Sequence, residues 1–353
     1  MGGQAANKAG RFVLGFVVYG FTIAIAISAC ALWWGAHAFQ KPGPAQESAI
    51  FVVARGEGAN TIAGKLYGAH LIDDPFLFMI AVTVLGEHTN LKAGEYEIPA
   101  GASAARIMAM LRDHDIVARR VTIREGLTSF EVVRLLNGVA ALSGDITQTP
   151  PEGSLLPDTY DYQREEPRSA VSARMQNAMR GAIIDLCGLK NASASWADFL
   201  NQPCGAAPLK TVRDVVTLAS IVEKETGKPE ERARVAGVFL NRLKAGIPLQ
   251  TDPSVIYAIT GGEHKNDGKG PLGRRLLSKD LQIDSPYNTY KNAGLPPGPI
   301  ANPGRASIAA VLTPESHDYL FFVADGSGGH VFAKTLAEHN RNVAEWRKIR
   351  RGQ

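Results

Sequence analysis

The stretch Thr217-Leu-Ala-Ser-Ile-Val-Glu-Lys-Glu-Thr-Gly227 decides how this chain is interpreted, because it places two glutamates inside an apolar run. On a helix of 3.6 residues per turn, one face is shared by Val212, Val216, Ala219 and Glu223. A carboxylate on an apolar face costs free energy unless it is paired or kept protonated as a general acid. The pattern indicates Glu223 as the unusual carboxylate, and a core ion pair with an arginine is the alternative.

Signals on either side of this stretch define the helix. Thr211 and Asp214 form an approximate capping box before it, and Gly227 is a natural stop. Glu225 falls at the edge of the apolar stripe. We expect Glu225 either to support Glu223 or to join a salt bridge.

The N-terminal region is predicted to be a membrane anchor. Residues 12–39 contain no Asp, Glu, Lys or Arg, a run long enough to span a hydrocarbon core of about 30 Å. Lys8 and Arg11 precede it, so the positive-inside rule makes residues 1–11 a cytoplasmic tail and places the remainder outside. Trp33 and Trp34 would lie near the outer interface. The alternative is a cleaved signal peptide, in which Ile27-Ser-Ala-Cys30 resembles a lipobox with a lipidated cysteine.

Composition narrows the classes of function. A net charge of +4 with 20% charged residues and no Lys/Arg block argues against nucleic-acid binding. Outside the anchor the chain has two cysteines, Cys187 and Cys204, for which a disulfide is plausible in an oxidising compartment. No Cys/His cluster has metal-ligand spacing, so neither a metal nor a cofactor is expected.

A weak internal repeat follows the anchor. Each copy has the order strand, glycine turn and short helix, with glycines at Gly56, Gly101 and Gly126 and helices capped by Asn60, Ser103 or Ser129. Residues 49–137 therefore resemble a small LysM-like β-α domain, which would either bind wall glycan or act as a spacer.

Residues 150–349 read as a mixed, helix-rich catalytic domain with a C-terminal hairpin. The two strands of that hairpin flank the glycine-rich turn Asp325-Gly-Ser-Gly-Gly329. The predicted fold class is α+β, with an N-terminal transmembrane helix, the LysM-like domain and this larger domain.

Six ordered motifs resemble one known family. The Glu223 stretch is followed by Val238-Phe-Leu-Asn-Arg-Leu243, Leu249-Gln-Thr-Asp-Pro-Ser-Val-Ile-Tyr257, Tyr287-Asn-Thr-Tyr290, Gly294-Leu-Pro-Pro-Gly-Pro-Ile300 and Tyr319-Leu-Phe-Phe-Val-Ala-Asp-Gly326. In this order the motifs resemble the endolytic murein transglycosylase family, also called MltG or YceG-like. The stretch between the cysteines is longer than expected for that family.

The resemblance implies a lytic transglycosylase that cleaves the MurNAc–GlcNAc bond within nascent peptidoglycan strands without water. It implies that Glu223 is catalytic, first as acid and then as base, leaving a 1,6-anhydro-MurNAc end. Such roles need a carboxyl group with a raised pKa. An inverting muramidase with Asp252 as its second carboxylate is an alternative, since Asp252-Pro253 also reads as a helix N-cap with Pro at N1.

Further motif residues are candidates for substrate binding. Gln250, Asn288 and Thr289 would hydrogen-bond sugar or N-acetyl groups, or else stabilise turns. Tyr287 and Tyr290 would stack on sugar rings or lie buried.

The resemblance also implies partners and location. Peptidoglycan synthases are the expected partners, and the chain would be a single-pass protein of the bacterial inner membrane with its catalytic domain in the periplasm. The rival from another class is a non-catalytic peptidoglycan-binding scaffold for those synthases.

Overall fold

The computed structural model describes residues 3–190, 195–263 and 271–352, with the side chains of the first fifteen residues and of residue 17 left aside. The chain forms two compact units, Met1–Arg119 and Arg120–Gln353. The class is mixed α+β, as predicted, and the described part holds three two-stranded sheets.

The first unit packs helices on one small sheet. Its elements are α1 (Gly3–Gln40), β1 (Ala49–Val53), α2 (Ala59–Gly68), α3 (Pro75–Val84), β2 (Gly94–Ile98) and α4 (Ala104–Asp113). β1 and β2 pair antiparallel. The buried core includes Phe51, Ile62, Phe78, Tyr96 and Ile107, so apolar residues of both strands and three helices meet in it.

Helix α1 carries the predicted anchor. Within the part of the chain searched, its segment Val18–Gln40 is the one helix long and apolar enough to cross a membrane. This is consistent with a single-pass anchor. The helix does not end free, because Phe39 in its last turn is buried and packs against Phe78 at 6.3 Å between ring centroids.

The predicted strand–glycine–helix repeat is present three times. Gly56, Gly101 and Gly126 all have left-handed φ, at 82°, 67° and 76°, which a glycine adopts without steric cost. The third copy lies in the second unit. Ser103 caps α4 as predicted, whereas the caps expected elsewhere are wrong: Gly58 and Thr128 begin the other two helices. The LysM-like assignment of residues 49–137 stays a prediction.

The second unit is built around a buried central helix, α8. Its elements are β3 (Arg119–Thr122, which straddles the boundary), α5 (Ser129–Asn137), β4 (Thr159–Tyr162), α6 (Arg168–Cys187), α7 (Trp196–Leu200), α8 (Val212–Glu225), a 3-10 turn (Pro229–Glu231), α9 (Arg232–Lys244), α10 (Asp252–Thr260), a second 3-10 turn (Asp280–Gln282), α11 (Arg305–Leu312), β5 (Phe321–Ala324), β6 (His330–Ala333) and α12 (Leu336–Gly352).

Helix α8 forms where the sequence predicts it. The Thr211–Asp214 capping box is present, and the helix ends at Glu225 with Thr226 as its C-cap. α7, α9, α10 and α11 all pack on it. Every side chain from Val215 to Glu223 is buried, so the helix is held on all sides and its C-terminal end is fixed in space.

Two further predictions concern the second unit. β5 and β6 form the expected antiparallel hairpin, with Phe322 opposite Phe332. Cys187 and Cys204 are joined in a disulfide with Cα atoms 5.4 Å apart.

Candidate active site

A cavity of about 470 Å³ opens at the C-terminal end of α8. Its walls come from α8, α9, the segment entering α10, the 287–290 motif, β5 and α12. The lining residues are Glu225, Arg242, Leu249, Gln250, Asp252, Tyr290, Phe322, Val323 and His339. Four residues expected at the site, Glu225, Gln250, Asp252 and Tyr290, therefore meet around one space.

Glu225 is the carboxyl group with the most altered acidity in this cavity. Burial and, to a smaller extent, the negative charge of Asp252 raise its pKa, the positive charge of Arg242 opposes them, and the net result is a pKa of about 7. Its side chain is partly exposed, so it is open to a ligand in the cavity. A carboxyl group that holds its proton near neutral pH is suited to general acid catalysis.

Asp252 faces Glu225 as a second carboxylate. It is exposed, and its Oδ1 accepts a hydrogen bond from the Tyr290 hydroxyl at 2.7 Å. The N-cap interpretation of Asp252 is wrong: Thr251 is the N-cap of α10, and Asp252 is the first helical residue, with Pro253 next. Burial of Tyr290 and its contact with Asp252 raise the pKa of that hydroxyl, which keeps it a donor.

Gln250 holds an unusual backbone conformation beside these carboxyl groups. Its φ of 52° lies in the left-handed region, which residues other than glycine rarely adopt. The conformation is maintained by its N–H, which donates to the carbonyl of Thr289 at 3.1 Å. Such strain is retained where the surrounding structure holds it, and here it leaves the exposed amide side chain at the cavity.

Arg242 also lines the cavity, although the sequence predicts no role for it. Its guanidinium donates to the carbonyls of Leu320 at 2.6 Å, Leu249 at 2.8 Å and Pro248 at 3.1 Å. It therefore ties the hairpin to the segment carrying Gln250. Its position inside the Val238–Leu243 motif is the available signal in the sequence, but its bond to the carbonyl of Leu320 joins residues 78 positions apart, which the motif does not show.

Glu223 occupies a different environment from the cavity. It is buried, as predicted, but Oε2 accepts from the N–H of Gly304 at 2.9 Å and Oε1 from Arg232 at 3.3 Å. Its contacts are thus those of the alternative interpretation, an ion pair with an arginine. The residues lining the Glu225 cavity do not include it.

Glu125 completes the polar cluster around Glu223. Arg232 also donates to Glu125 at 2.8 Å, so one guanidinium bridges two carboxylates. Burial and the nearby charge of Glu223 raise the pKa of Glu125, and Arg232 opposes this. A β-carbon on Gly304 would lie 1.9 Å from Glu125 Oε1, so any larger residue there would displace the Glu125 carboxyl group from this cluster.

The remaining predicted binding residues face the protein interior. Asn288 is fully buried, donates to the carbonyls of Leu281 and Ile283 at 2.9 and 2.8 Å, and accepts from the N–H of Tyr290. Thr289 Oγ1 accepts from the N–H of Thr251 at 3.0 Å. Both contacts match the turn-stabilising alternative.

One aromatic residue, Tyr287, and one acidic residue, Glu152, lie outside the cavity and contact other residues of the second unit. Tyr287 packs on Tyr257 at 5.0 Å rather than lining the cavity. Glu152 has a pKa raised to about 7 by burial, and it accepts from the N–H of Ser129 at 2.8 Å and from Asn302 at 3.2 Å. It links segments that are distant in sequence within the second unit. Among the residues searched, no group of three or more His, Cys, Asp or Glu is placed to hold a metal ion.

The fold and site define an α+β protein with a carboxylate-lined cavity at the end of a buried helix. The model of the YceG-like family matches residues 51–345. The chain belongs to the YceG-like family.

Curated relatives and a solved structure extend the comparison. The chain is 52% identical over 131 residues, 37% of its length, to an endolytic murein transglycosylase of Bacillus subtilis (strain 168). It is 36% identical over 200 residues, 55% of its length, to an endolytic murein transglycosylase of Streptococcus pneumoniae serotype 2 (strain D39 / NCTC 7466). The chain spans about a third of the length of these relatives, 34% and 32%. A crystal structure of a YceG-like protein from Listeria monocytogenes is 30% identical and covers 84% of this chain and 99% of that one, with a TM-score of 0.47.

Proposed function

We propose that this chain is an endolytic murein transglycosylase that cleaves the MurNAc–GlcNAc bond inside peptidoglycan strands. The observation that carries the proposal is Glu225, a carboxyl group with a pKa of about 7 in the wall of an open, polar cavity. The relatives named as endolytic murein transglycosylases support the substrate and the class of reaction.

The reaction needs one carboxyl group that changes role. Glu225 donates its proton to the glycosidic oxygen as the C1–O bond breaks, so the GlcNAc side leaves as an alcohol. The 6-hydroxyl of MurNAc attacks C1, and the Glu225 carboxylate accepts its proton. Water is not consumed, a 1,6-anhydro ring forms, and Glu225 ends protonated as it began.

The neighbours of Glu225 support both halves of this cycle. Before bond cleavage, Asp252 and burial favour the protonated acid. After cleavage, Asp252 places a negative charge near the cation-like sugar, while Arg242 stabilises the Glu225 carboxylate. Gln250 and the Tyr290 hydroxyl offer hydrogen bonds to sugar groups.

The helix periodicity and the family resemblance predict Glu223 as the catalytic residue, whereas the geometry of the cavity supports Glu225. Glu223 is engaged by Arg232 and the N–H of Gly304, two donors that stabilise a fixed carboxylate. Its proposed role is to hold the end of α8. Paired variants distinguish the two assignments.

A second candidate function is an inverting muramidase. The observation in its favour is that Glu225 and Asp252 line one cavity, as the two carboxylates of a hydrolase must. In that case Asp252 would activate a water, and the product would have a reducing end.

The proposal extends to location and partners. α1 would anchor the chain in a bacterial inner membrane with residues 1–11 cytoplasmic, and residues 150–349 would act in the periplasm on strands still being made. Residues 49–137 would form a LysM-like domain contacting glycan, and peptidoglycan synthases are the proposed partners.

The test is digestion of purified peptidoglycan by the full chain in detergent, with products weighed by mass spectrometry. Anhydro-MurNAc ends within former strand interiors are expected. Products carrying one added water would support the muramidase, and release only of terminal disaccharides would contradict an endolytic action.

Matched variants assign the acid. Glu225→Gln is expected to abolish cleavage, whereas Glu223→Gln retains a measurable rate, with circular dichroism showing that both fold. If Glu223→Gln alone is inactive, the role returns to Glu223. If the unmodified chain binds peptidoglycan without cutting it, the scaffold alternative holds.

A further inference from the structure

Helix α3 presents an apolar face that no described part of the first unit covers. Phe76, Ile80 and Val84 recur every four residues, so they share one side of the helix. They are 72%, 44% and 73% exposed, while Phe78 and Val82 on the opposite side are fully buried. Large apolar side chains grouped in this way mark a contact surface.

The composition of α3 suits a nonpolar surrounding. Its ten residues include no charged group. The one hydroxyl on the exposed side, Thr83 Oγ1, donates to the carbonyl of Met79 at 2.8 Å and is therefore satisfied within the helix. Transfer of this face out of water leaves no polar side chain without a partner.

The position of α3 relative to α1 identifies what covers this face. α3 packs beside the last turns of α1, where a β-carbon on Gly35 would contact Leu77 at 3.9 Å and where Phe39 packs on Phe78. Gly35 is five residues before the end of α1 at Gln40, a distance of about 8 Å along the helix. Interfacial helices bury their apolar faces about 5–10 Å into the boundary of headgroups and acyl chains.

Polar and aromatic groups at the same level agree with an interface. Trp33 and Trp34 are exposed on α1 close to Gly35, and such side chains favour the membrane boundary. Lys41 and Asp73 form an ion pair at 2.8 Å, just after α1 and just before α3. Charged groups thus lie where α1 ends and just before α3 begins, outside the apolar segments of both helices.

We propose that α3 is an interfacial membrane helix, whose Phe76–Ile80–Val84 face inserts into the outer leaflet beside α1. The occupant of the surface is lipid. The first unit then has two fixed attachments to the bilayer, α1 across it and α3 along it, which sets its orientation at the membrane surface. This inference rests on the anchor role of α1 in the proposed function and is independent of the catalytic assignment.

The test uses the full chain reconstituted at low protein-to-lipid ratio in phosphatidylethanolamine and phosphatidylglycerol vesicles. In a Cys30→Ser background, single cysteines replace Ile80 or Val84 and carry an environment-sensitive fluorophore. Ile50→Cys is the matched control, because Ile50 is also an exposed isoleucine of the first unit. Quenching is measured with aqueous iodide and with nitroxide lipids labelled near the headgroup.

At positions 80 and 84 we expect strong quenching by the shallow nitroxide lipid and roughly fivefold weaker iodide quenching than at Ile50. Equal iodide quenching at all three positions would overturn the proposal. Protection from iodide without lipid quenching would also overturn it and would indicate a protein on this face. A fluorophore on Ile27→Cys tests the anchor separately, with a second nitroxide lipid labelled deep in its acyl chain. If this deep label does not quench the fluorophore at position 27, α1 does not span the membrane.

Discussion

Replacing Glu225 with glutamine is expected to abolish cleavage and, above neutral pH, to make the folded chain more stable than wild type. Folding raises the pKa of this carboxyl group from 4.5 to about 7. A change of one in pKa corresponds to about 1.4 kcal/mol. The rise of about 2.5 in pKa therefore means that the protonated carboxyl group stabilises the folded state by roughly 3 kcal/mol relative to the ionised one. Because the folded state holds the proton more tightly, this contribution is fully present below about pH 4.5 and is lost as the pH rises through about 7.

Glu223→Gln is the matched control, since the two glutamates are two residues apart on the same helix. It removes the negative partner of a mostly buried Arg232, which remains bonded to Glu125. Loss of a charge-assisted contact of this kind costs about 1–3 kcal/mol. We therefore expect this variant to be less stable than wild type at both pH values.

The assay is urea unfolding of the full chain in detergent micelles, followed by circular dichroism at pH 5 and pH 8. Between these values the free energy of unfolding of Glu225→Gln relative to wild type is expected to rise by roughly 3 kcal/mol, as an upper estimate. A relative stability that does not change with pH would refute the raised pKa. A Glu225→Gln variant that still releases anhydro-MurNAc would refute its catalytic role.

The other predictions concern the cavity and the frame that carries it. If Glu225 is the acid, the cleavage rate falls above about pH 7. Asp252→Asn removes a charge that raises the pKa of Glu225, so this fall is expected at lower pH in the variant. A pH–rate profile that is the same in the variant and the wild type would contradict the interaction between Glu225 and Asp252. Asn288→Ala removes three buried hydrogen bonds and is expected to lower the free energy of unfolding, measured in urea, by about 2–4 kcal/mol. A loss of activity at unchanged stability would instead indicate that Asn288 binds sugar. Replacing Cys187 and Cys204 by serine opens a loop with a sequence separation of 17 and is expected to cost about 3 kcal/mol, checked by the same unfolding.

The elements predicted best are those specified by local signals. The Thr211–Asp214 box, the glycine-rich turn of the hairpin and the left-handed Gly56 and Gly101 all depend on neighbours within a few residues. Patterns of this kind determine local backbone conformation, so the sequence is sufficient to place them. The predicted N-caps Asn60 and Ser129 lie two residues and one residue after the observed N-caps, Gly58 and Thr128. Differences of one or two residues are usual at helix ends.

The membership of the cavity was less predictable than the fold. Its lining combines Glu225 of α8 with Arg242, Gln250, Tyr290 and His339, which tertiary packing brings together from well-separated parts of the chain. A motif identifies polar residues without showing which way they face. Asn288 and Tyr290 belong to one four-residue motif, yet the first is bonded to backbone carbonyls and the second opens onto the cavity.

Because a sequence pattern does not show which space a polar side chain faces, the helix periodicity favours Glu223. Residues two apart on an α-helix point about 200° from each other, so a Glu-x-Glu motif sends its carboxyl groups to opposite sides. Apolar periodicity identifies the member that is buried with the core, and a buried carboxylate must be paired to be tolerated. A reacting carboxyl group needs the reverse, partial burial with an opening to substrate, and in α8 that condition is met by Glu225 at the end of the stripe. For this chain we therefore propose that Glu223 fixes the end of α8 and that Glu225 is the glutamate placed for chemistry.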